Sequence, residues 1–333
     1  MTDEDHVGRL VARGARGHAS LALATVGTTA DGIHRSGRQA PPGRALWQIG
    51  SITKVFTALV LARAVVRGDV TLETPVRTLL REAPADVTLG RLATHTSGLP
   101  RISRDLWLAW LRREQDPYAG VDRDALMASL ASARRRPVGR VRYSNLGFGL
   151  LGLALATAAD TSYDAIVRAE VCEPLGLSDT TATPSADARS RCLPGHTRRL
   201  RERAVAWEFD ALAGAGALWS SIEDMQAFLR AVLDPPPGEL GAAMRLAAET
   251  HAPGRGHDQG LGWIRFRRGP VADHLFHNGG TYGFRSALLA DPATGRGAVA
   301  LSSTDRSVDG LVVQVLGAGE RPPPTGRPAG ATG

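Results

Sequence analysis

Apolar and polar positions alternate in two stretches of the chain, one near each end, and the middle reads differently. Residues 19–39 predict a hairpin. Residues 19–26 form a short apolar strand, Asp31-Gly32 supplies turn chemistry, and Gly37 closes the second arm. Pro41-Pro42 ends that pattern. Residues 46–49 read as a brief strand. Gly50-Ser51 then opens a helix that runs to about Arg67 and stops at Gly68, a residue suited to the left-handed end of a helix. Its middle, 55–66, is apolar on nearly every face, which places it inside a large core. From 80 to 205 helical patterns dominate, interrupted at Gly98-Leu99-Pro100, Pro117, Pro137 and Pro174. Ser220 or Ser221 next caps a helix reaching about Leu233, with Glu223 and Asp224 in its first turn. Four strand-like runs follow near 260–268, 271–277, 282–290 and 297–303, and a last helix covers about 307–316.

The pattern gives an α/β chain in two modules. A discontinuous sheet module, 15–80 with 205–317, is interrupted by a helical module, 81–204. The tail 318–333 holds three consecutive prolines and predicts disorder. At 333 residues such a chain buries a sizeable core without disulfide or metal staples. Hydrophobic residues make up 43% and charged residues 22%, which excludes wholesale disorder. The longest apolar run, 146–159, falls short of the ~18 residues that argue for a membrane span, so no membrane partner is expected. The start, Met-Thr-Asp-Glu-Asp, lacks the basic and apolar regions of an export signal, and a cytoplasmic location is the expectation. Cys172 and Cys192 make no framework; they are either one disulfide or two buried thiols.

The net charge is +7. It is diffuse, with arginine clusters at 134–136 and 198–203 and acids spread between, and no nucleic-acid-binding signature accompanies it. An anionic substrate or a solvated surface accounts for it better than a nucleic acid does. The finer fact is that one lysine, Lys54, stands among forty basic residues. A position that keeps Lys where Arg serves everywhere else is a position that can need to lose its proton.

Lys54 belongs to Ser51-Ile52-Thr53-Lys54 at the start of the buried helix. Residues three apart share a helix face, so Lys54 reaches the Ser51 hydroxyl. Free N–H groups of the helix start point at the same spot. Burial lowers a lysine pKa, and a neutral lysine can take the serine proton. The bland alternative is a capping serine beside a chance lysine. Tyr143-Ser144-Asn145 precedes the apolar run from Leu146. A phenol beside an ammonium ionises below its free value and can act as a base, while Asn145 can bind a substrate amide and hold Lys54. Alone, this triplet is also what a turn before a helix looks like. His277-Asn278-Gly279-Gly280 ends a strand pattern, and consecutive glycines let a substrate approach the backbone. It could equally be a glycine-rich hairpin.

Together these motifs, in this order and spacing, resemble the class C β-lactamase-like serine hydrolases, a family that includes D-Ala-D-Ala carboxypeptidases, family VIII-type esterases and some acyltransferases. The stretches Leu92-Ala93-Thr94-His95-Thr96-Ser97-Gly98-Leu99-Pro100 and Gly214-Ala215-Gly216-Ala217-Leu218-Trp219-Ser220 look like the family outside the active site. The resemblance covers about 20–316. It implies a β-lactamase/transpeptidase-like fold, an antiparallel sheet flanked by helices plus an all-helical domain, with the site between. It also implies Ser51 as the acylated nucleophile, Lys54 and Tyr143 in proton transfer, and Asn145 positioning substrate. His277 takes the third-motif place, the Ser51 and Gly280 N–H groups form the oxyanion hole, and Gly279 is a candidate for substrate binding. True class C β-lactamases usually carry Lys-Thr-Gly where this chain has His277-Asn278-Gly279, so weak or no β-lactam hydrolysis is expected. Arg285 is a candidate for a substrate carboxylate.

Weaker signals are assigned to structure. Gly147 to Gly152 matches G-x-G-x-x-G without a preceding strand and reads as close helix packing, not a dinucleotide site. Asp273, His274 and His277 have loose metal spacing, but the two histidines fall on opposite strand faces, so no metal is expected. His95 reads as a structural hydrogen-bonder. Trp107 and Trp110 read as a helix-packing face, or else the lining of an acyl pocket. The expectation is a serine hydrolase without metal or cofactor, acting on a small ester or amide. An acyltransferase using the same acyl-enzyme, and a penicillin- or peptide-binding sensor that does not turn over, are the alternatives.

Overall fold

The computed structural model describes residues 3–28, 31–112, 114–203 and 205–317. The expected disordered tail, 318–333, lies outside the described residues. Ten strands occur among them: β1 (Leu21–Val26), β2 (Gly32–Ser36), β3 (Trp47–Gln48), β4 (Trp219–Ser220), β5 (Ala252–Pro253), β6 (His257–Gln259), β7 (Ile264–Phe266), β8 (Leu275–Thr281), β9 (Phe284–Asp291) and β10 (Arg296–Ser302). Eight of them form one antiparallel sheet in the order β2-β1-β10-β9-β8-β7-β6-β5. β3 pairs with β4 separately.

Residues 21–24 of β1, 287–290 of β9 and 298–301 of β10 are apolar and buried without interruption because helices cover both faces. In β1, Leu21 and Leu23 face a layer made by the terminal helices Asp3–Gly14 and Asp309–Gly317, through Val7, Val11, Val312 and Val315. Ala22 and Ala24 face the main core, with Leu288, Val299 and Leu301. That core contains the helix Thr53–Arg67, which is buried from Thr53 to Ala62 and ends at Gly68 with φ 81°. Ser221 caps the helix Ile222–Leu233 by accepting from the Asp224 N–H at 3.2 Å.

The segment between the two sheet-forming parts holds the helices Leu89–Ala93, Arg104–Leu111, Arg123–Ala131 and Asn145–Ala158, a continuous helical run over 163–175 and the short helix Ala186–Arg189, joined by turns. No single described helix is long and apolar enough to cross a membrane. Gly152 lies against Gly214, where a Cβ would come within 2.8 Å of its Cα. The glycine-rich run is therefore a close helix crossing. Three further differences emerge. The chain opens with the helix Asp3–Gly14, a helix Glu239–Ala248 precedes the late strands, and those strands begin with two short pieces, β5 and β6. Trp107 and Trp110 are not a packing face: they are 53% and 61% exposed, and Leu106 is the buried residue of their helix. Cys172 and Cys192 are free thiols facing different carbonyls, of Thr180 and Ala188.

Candidate active site

The chain turns from β3 through a single 3-10 turn, Gly50–Ile52, directly into the helix Thr53–Arg67. Gly50 has φ 52°, and a Cβ there would meet the Gly280 nitrogen at 2.7 Å. The turn and β8 thus touch backbone to backbone. Gly279 is as tightly placed, since its Cβ would sit 2.0 Å from the Ile49 oxygen. Ser286 on β9 fixes the same carbonyl by donating to it at 2.7 Å.

Ser51 stands half-buried at this junction with two partners. Lys54 Nζ lies 3.1 Å from its Oγ, and the Tyr143 hydroxyl donates to it at 2.6 Å. Lys54 is fully buried, and its Nζ also donates to the Ala215 carbonyl at 2.5 Å. The Tyr143 and Phe148 rings lie 4.9 and 5.7 Å from it. Among the described residues no carboxylate pairs with it. Burial, then the Arg101 charge, holds its pKa well below the ordinary lysine value. Such a shift eases loss of the proton, and a deprotonated amine has a lone pair that can accept one.

Tyr143 departs from expectation. Burial raises its pKa, and the bond to Ser51 and the Arg101 charge oppose this only in part. With its pKa raised, Tyr143 rests as a phenol. Arg101 places its guanidinium carbon 5.2 Å from the Tyr143 ring centre. Behind that ring stands His95, centroids 4.5 Å apart, whose Nδ1 accepts from the Ser144 N–H at 3.1 Å. His95 therefore acts as the hydrogen-bonding brace its sequence context suggests.

Asn145 begins the helix Asn145–Ala158. It does not hold Lys54: that role falls to the Ala215 carbonyl. Its amide instead donates to the Tyr118 hydroxyl at 3.1 Å, and its Oδ1 is buried without a partner. His277 sits on β8 with its ring centre 6.5 Å from that of Tyr143. Its Nδ1 lies 2.7 Å from the Asn278 carbonyl, which can only accept, so Nδ1 carries the proton and Nε2 is the lone-pair acceptor. Burial lowers its pKa to about 3. A neutral imidazole thus stands there, with no charge for a carboxylate. His274 turns elsewhere, toward Asp291 at 3.9 Å.

Thr281 and Phe284 close a two-residue turn, so Gly280 and Arg285 form the adjacent non-hydrogen-bonded pair. The Gly280 N–H therefore points away from β9, and β7 pairs with β8 only at Leu275 and Phe276. The Ser51 N–H, in the first turn of its helix, has no helical acceptor. Arg285 is a second correction. It alternates with Ser286 and so lies on the sheet face opposite Ile49, paired with Asp305 and donating to the Phe284 carbonyl at 3.1 Å. It is committed there. A cavity of about 1040 Å³ lies nearby, against Ala213, Ala217 and Trp207, and none of Ser51, Lys54 and Tyr143 lines it.

Sequence reasoning missed Ala215, Tyr118 and Arg101. Ala215 contributes a backbone carbonyl, and its signal was the run of Ala and Gly at 213–217, which lets a main chain come close. Tyr118 and Arg101 carried no motif of their own.

Residues 4–314 match the protein-family model described as Beta-lactamase, and the chain belongs to the beta-lactamase family of serine hydrolases, which includes carboxypeptidases and β-lactamases. It is 29% identical over 249 residues to the D-alanyl-D-alanine-carboxypeptidase/endopeptidase AmpH of Escherichia coli K12, covering 65% of this chain and 60% of that one. It is 28% identical over 236 residues to Penicillin-binding protein 4 of Amycolatopsis lactamdurans, covering 66% and 58%. The matches thus span about three fifths of those relatives. A class C beta-lactamase structure superposes with a TM-score of 0.83 at 19% identity, over 96% of this chain and 97% of that one. A beta-lactamase/D-alanine carboxypeptidase from Pseudomonas syringae superposes with 0.81 at 18%, over 96% and 99%. At such identities these establish the fold: a mixed α/β architecture with an antiparallel sheet flanked by helices.

Proposed function

We propose that the protein hydrolyses a small ester or amide through an acyl-enzyme on Ser51. The observation that carries this is Lys54, wholly buried, unpaired by any described carboxylate and 3.1 Å from Ser51 Oγ. Its neutral amine takes the Ser51 proton as Oγ forms a bond to the substrate carbonyl carbon. The carbonyl oxygen becomes an oxyanion and is met by the Ser51 and Gly280 N–H groups. The C–O or C–N bond to the leaving group then breaks, and the Lys54 ammonium returns the proton to it through the Tyr143 hydroxyl, which already bridges to Ser51 at 2.6 Å. Water attacks the acyl-enzyme with the same base, restoring Ser51. The buried, unpartnered Oδ1 of Asn145 is an acceptor for a substrate N–H.

The neutral His277 in the third-motif place supports a substrate range weighted toward esters and peptides rather than β-lactams. Lys54→Arg tests the proposal. It keeps a charge at 54, but a guanidinium does not deprotonate, so turnover of p-nitrophenyl acetate falls by about 10²–10⁴. Near-normal turnover in that variant would remove Lys54 as the base.

A further inference from the structure

Two features gather in one part of the helical segment. The first is apolar. Among the described residues six large hydrophobic side chains are exposed, and four of them, Trp107, Trp110, Leu111 and Val138, fall between 107 and 138. Three of these stand on the helix Arg104–Leu111. Trp107 is three residues from Arg104 and from Trp110 and four from Leu111, so the four side chains share an outward stripe, while Leu106 is buried. The second feature is charge. Residues 101–142 hold ten arginines and five carboxylates, and so supply five of the seven net positive charges of the chain. The excess is therefore less diffuse than its scatter along the sequence suggests. The ion pairs of this stretch use Arg112, Arg123 and Arg135. Arg101, Arg104, Arg134, Arg136, Arg140 and Arg142 are exposed, and no described carboxylate forms an ion pair with any of them. The two features adjoin. The N–H groups of Arg136, Gly139 and Arg142 donate to the carbonyls of Gly98, Thr96 and His95 at 2.8, 2.9 and 2.8 Å, and the Asn145 N–H donates to the Arg101 carbonyl at 2.9 Å. The basic loop 134–142 is thus strapped along the segment from which the tryptophan-bearing helix starts.

We propose that this face docks the protein on an anionic lipid bilayer, with Trp107, Trp110 and Leu111 in the headgroup layer and the surrounding arginines against lipid phosphates. The expectation of no membrane partner rested on the lack of a spanning run, and lying on a bilayer needs none. Indole suits the boundary between headgroup and chain, because its body is apolar and its N–H is polar. Arginine covers apolar surface with its stem while its guanidinium pairs with phosphate, and anionic lipid attracts each such charge. The nearby acids do not cancel that attraction. Asp105, two residues from Trp107, lies off the stripe, and Asp116 is occupied by the N–H groups of Tyr118, Ala119 and Glu208. A nucleic acid would match the charge and leave Leu111 and Val138 uncovered. The role of Ser51 does not enter this inference.

The test is flotation of the full chain with vesicles of phosphatidylglycerol and phosphatidylcholine in equal parts, against vesicles of phosphatidylcholine alone. At low salt the wild type partitions onto the anionic vesicles at least about tenfold more strongly than onto the neutral ones, and added salt narrows the gap. The double variant Trp107→Ser with Trp110→Ser lowers partitioning onto the anionic vesicles by about tenfold, and so does Arg136→Gln with Arg140→Gln. All four side chains are exposed, and an unchanged urea midpoint shows that each variant is folded. Absence of wild-type protein from the anionic vesicles overturns the inference. So does partitioning that is indifferent to lipid charge, or that survives the tryptophan changes. Titration with a short single-stranded DNA and sedimentation velocity separate the other occupants. Binding of the DNA without the vesicles, or a dimer that the tryptophan changes dissolve and that does not float, overturns the inference in favour of a nucleic acid or of a second copy of this chain.

Discussion

Lys54→Met separates the two charge states of the amine. In the unfolded chain a lysine has a pKa of about 10.4 and is charged at pH 8. If folding buries it neutral, a proton is released. That release costs about 3 kcal/mol at pH 8 and under about 1 kcal/mol at pH 10. Methionine fills similar space with no titrating group, so the variant escapes the cost. It also loses the Lys54 contacts to Ser51 and Ala215, and an unsatisfied buried carbonyl costs about 1–3 kcal/mol. At pH 8 the two effects oppose, and the variant stays within about 2 kcal/mol of the wild type. The pH dependence does not cancel. Between the depressed folded value and about 10.4 the unfolded state binds more protons, so wild-type stability rises with pH. From pH 8 to pH 10 the wild type gains about 2–3 kcal/mol on the variant. Urea unfolding followed by tryptophan fluorescence at pH 8, 9 and 10, at constant ionic strength, reads the difference directly. Groups shared by both proteins drop out. A difference that stays constant with pH would mean that Lys54 is charged in the fold and cannot take the Ser51 proton.

Other consequences follow from the same geometry. Tyr143→Phe removes the hydroxyl that bridges to Ser51, so kcat falls by about 10²–10⁴ while the urea midpoint moves little. Gly279→Ala places a Cβ 2.0 Å from the Ile49 oxygen, so the turn bearing Ser51 shifts; stability drops by about 1–3 kcal/mol and hydrolysis is lost with it, read by thermal unfolding and ester turnover. His277 and His18 are held neutral, with pKa lowered to about 3 and about 4 from an ordinary 6.5. Their contribution to stability is complete above pH 6.5 and is lost as pH falls toward those values. The urea midpoint therefore declines below pH 6.5, less steeply in His18→Gln, and a midpoint flat to pH 4 contradicts the burial of these rings as neutral groups.

What could be read in the sequence depended on whether the signal was local. Ser51 and Lys54 are three apart on one helix, and their approach follows from helix geometry alone. The stop at Gly68 and the cap at Ser221 are chemistry of single residues, and both appear where the letters place them. The first helix went unread although Val7 and Val11 stand one turn apart, because its remaining positions are mostly polar. Trp107 and Trp110 share a helix face by spacing, but spacing does not say whether that face meets the core or solvent. Tyr143 was legible as a motif and misread in its ionisation. Its direction depends on how far burial outweighs neighbouring charge, and that is set by residues far away in the chain. Ala215 acts through its main chain, which no side-chain pattern records. Arg285 offered no sign as a letter that it would be engaged by Asp305 and by carbonyls of its own turn, because those partners are brought to it by the fold.

The central claim is that Ser51 is a nucleophile activated by its neighbours. Intact-mass measurement of the pure protein after exposure to a fluorophosphonate, with Ser51→Ala alongside, tests it most directly. The account predicts one adduct on the wild type and none on the variant. A folded wild-type protein that gains no mass, or a Ser51→Ala protein that gains as much, would contradict it.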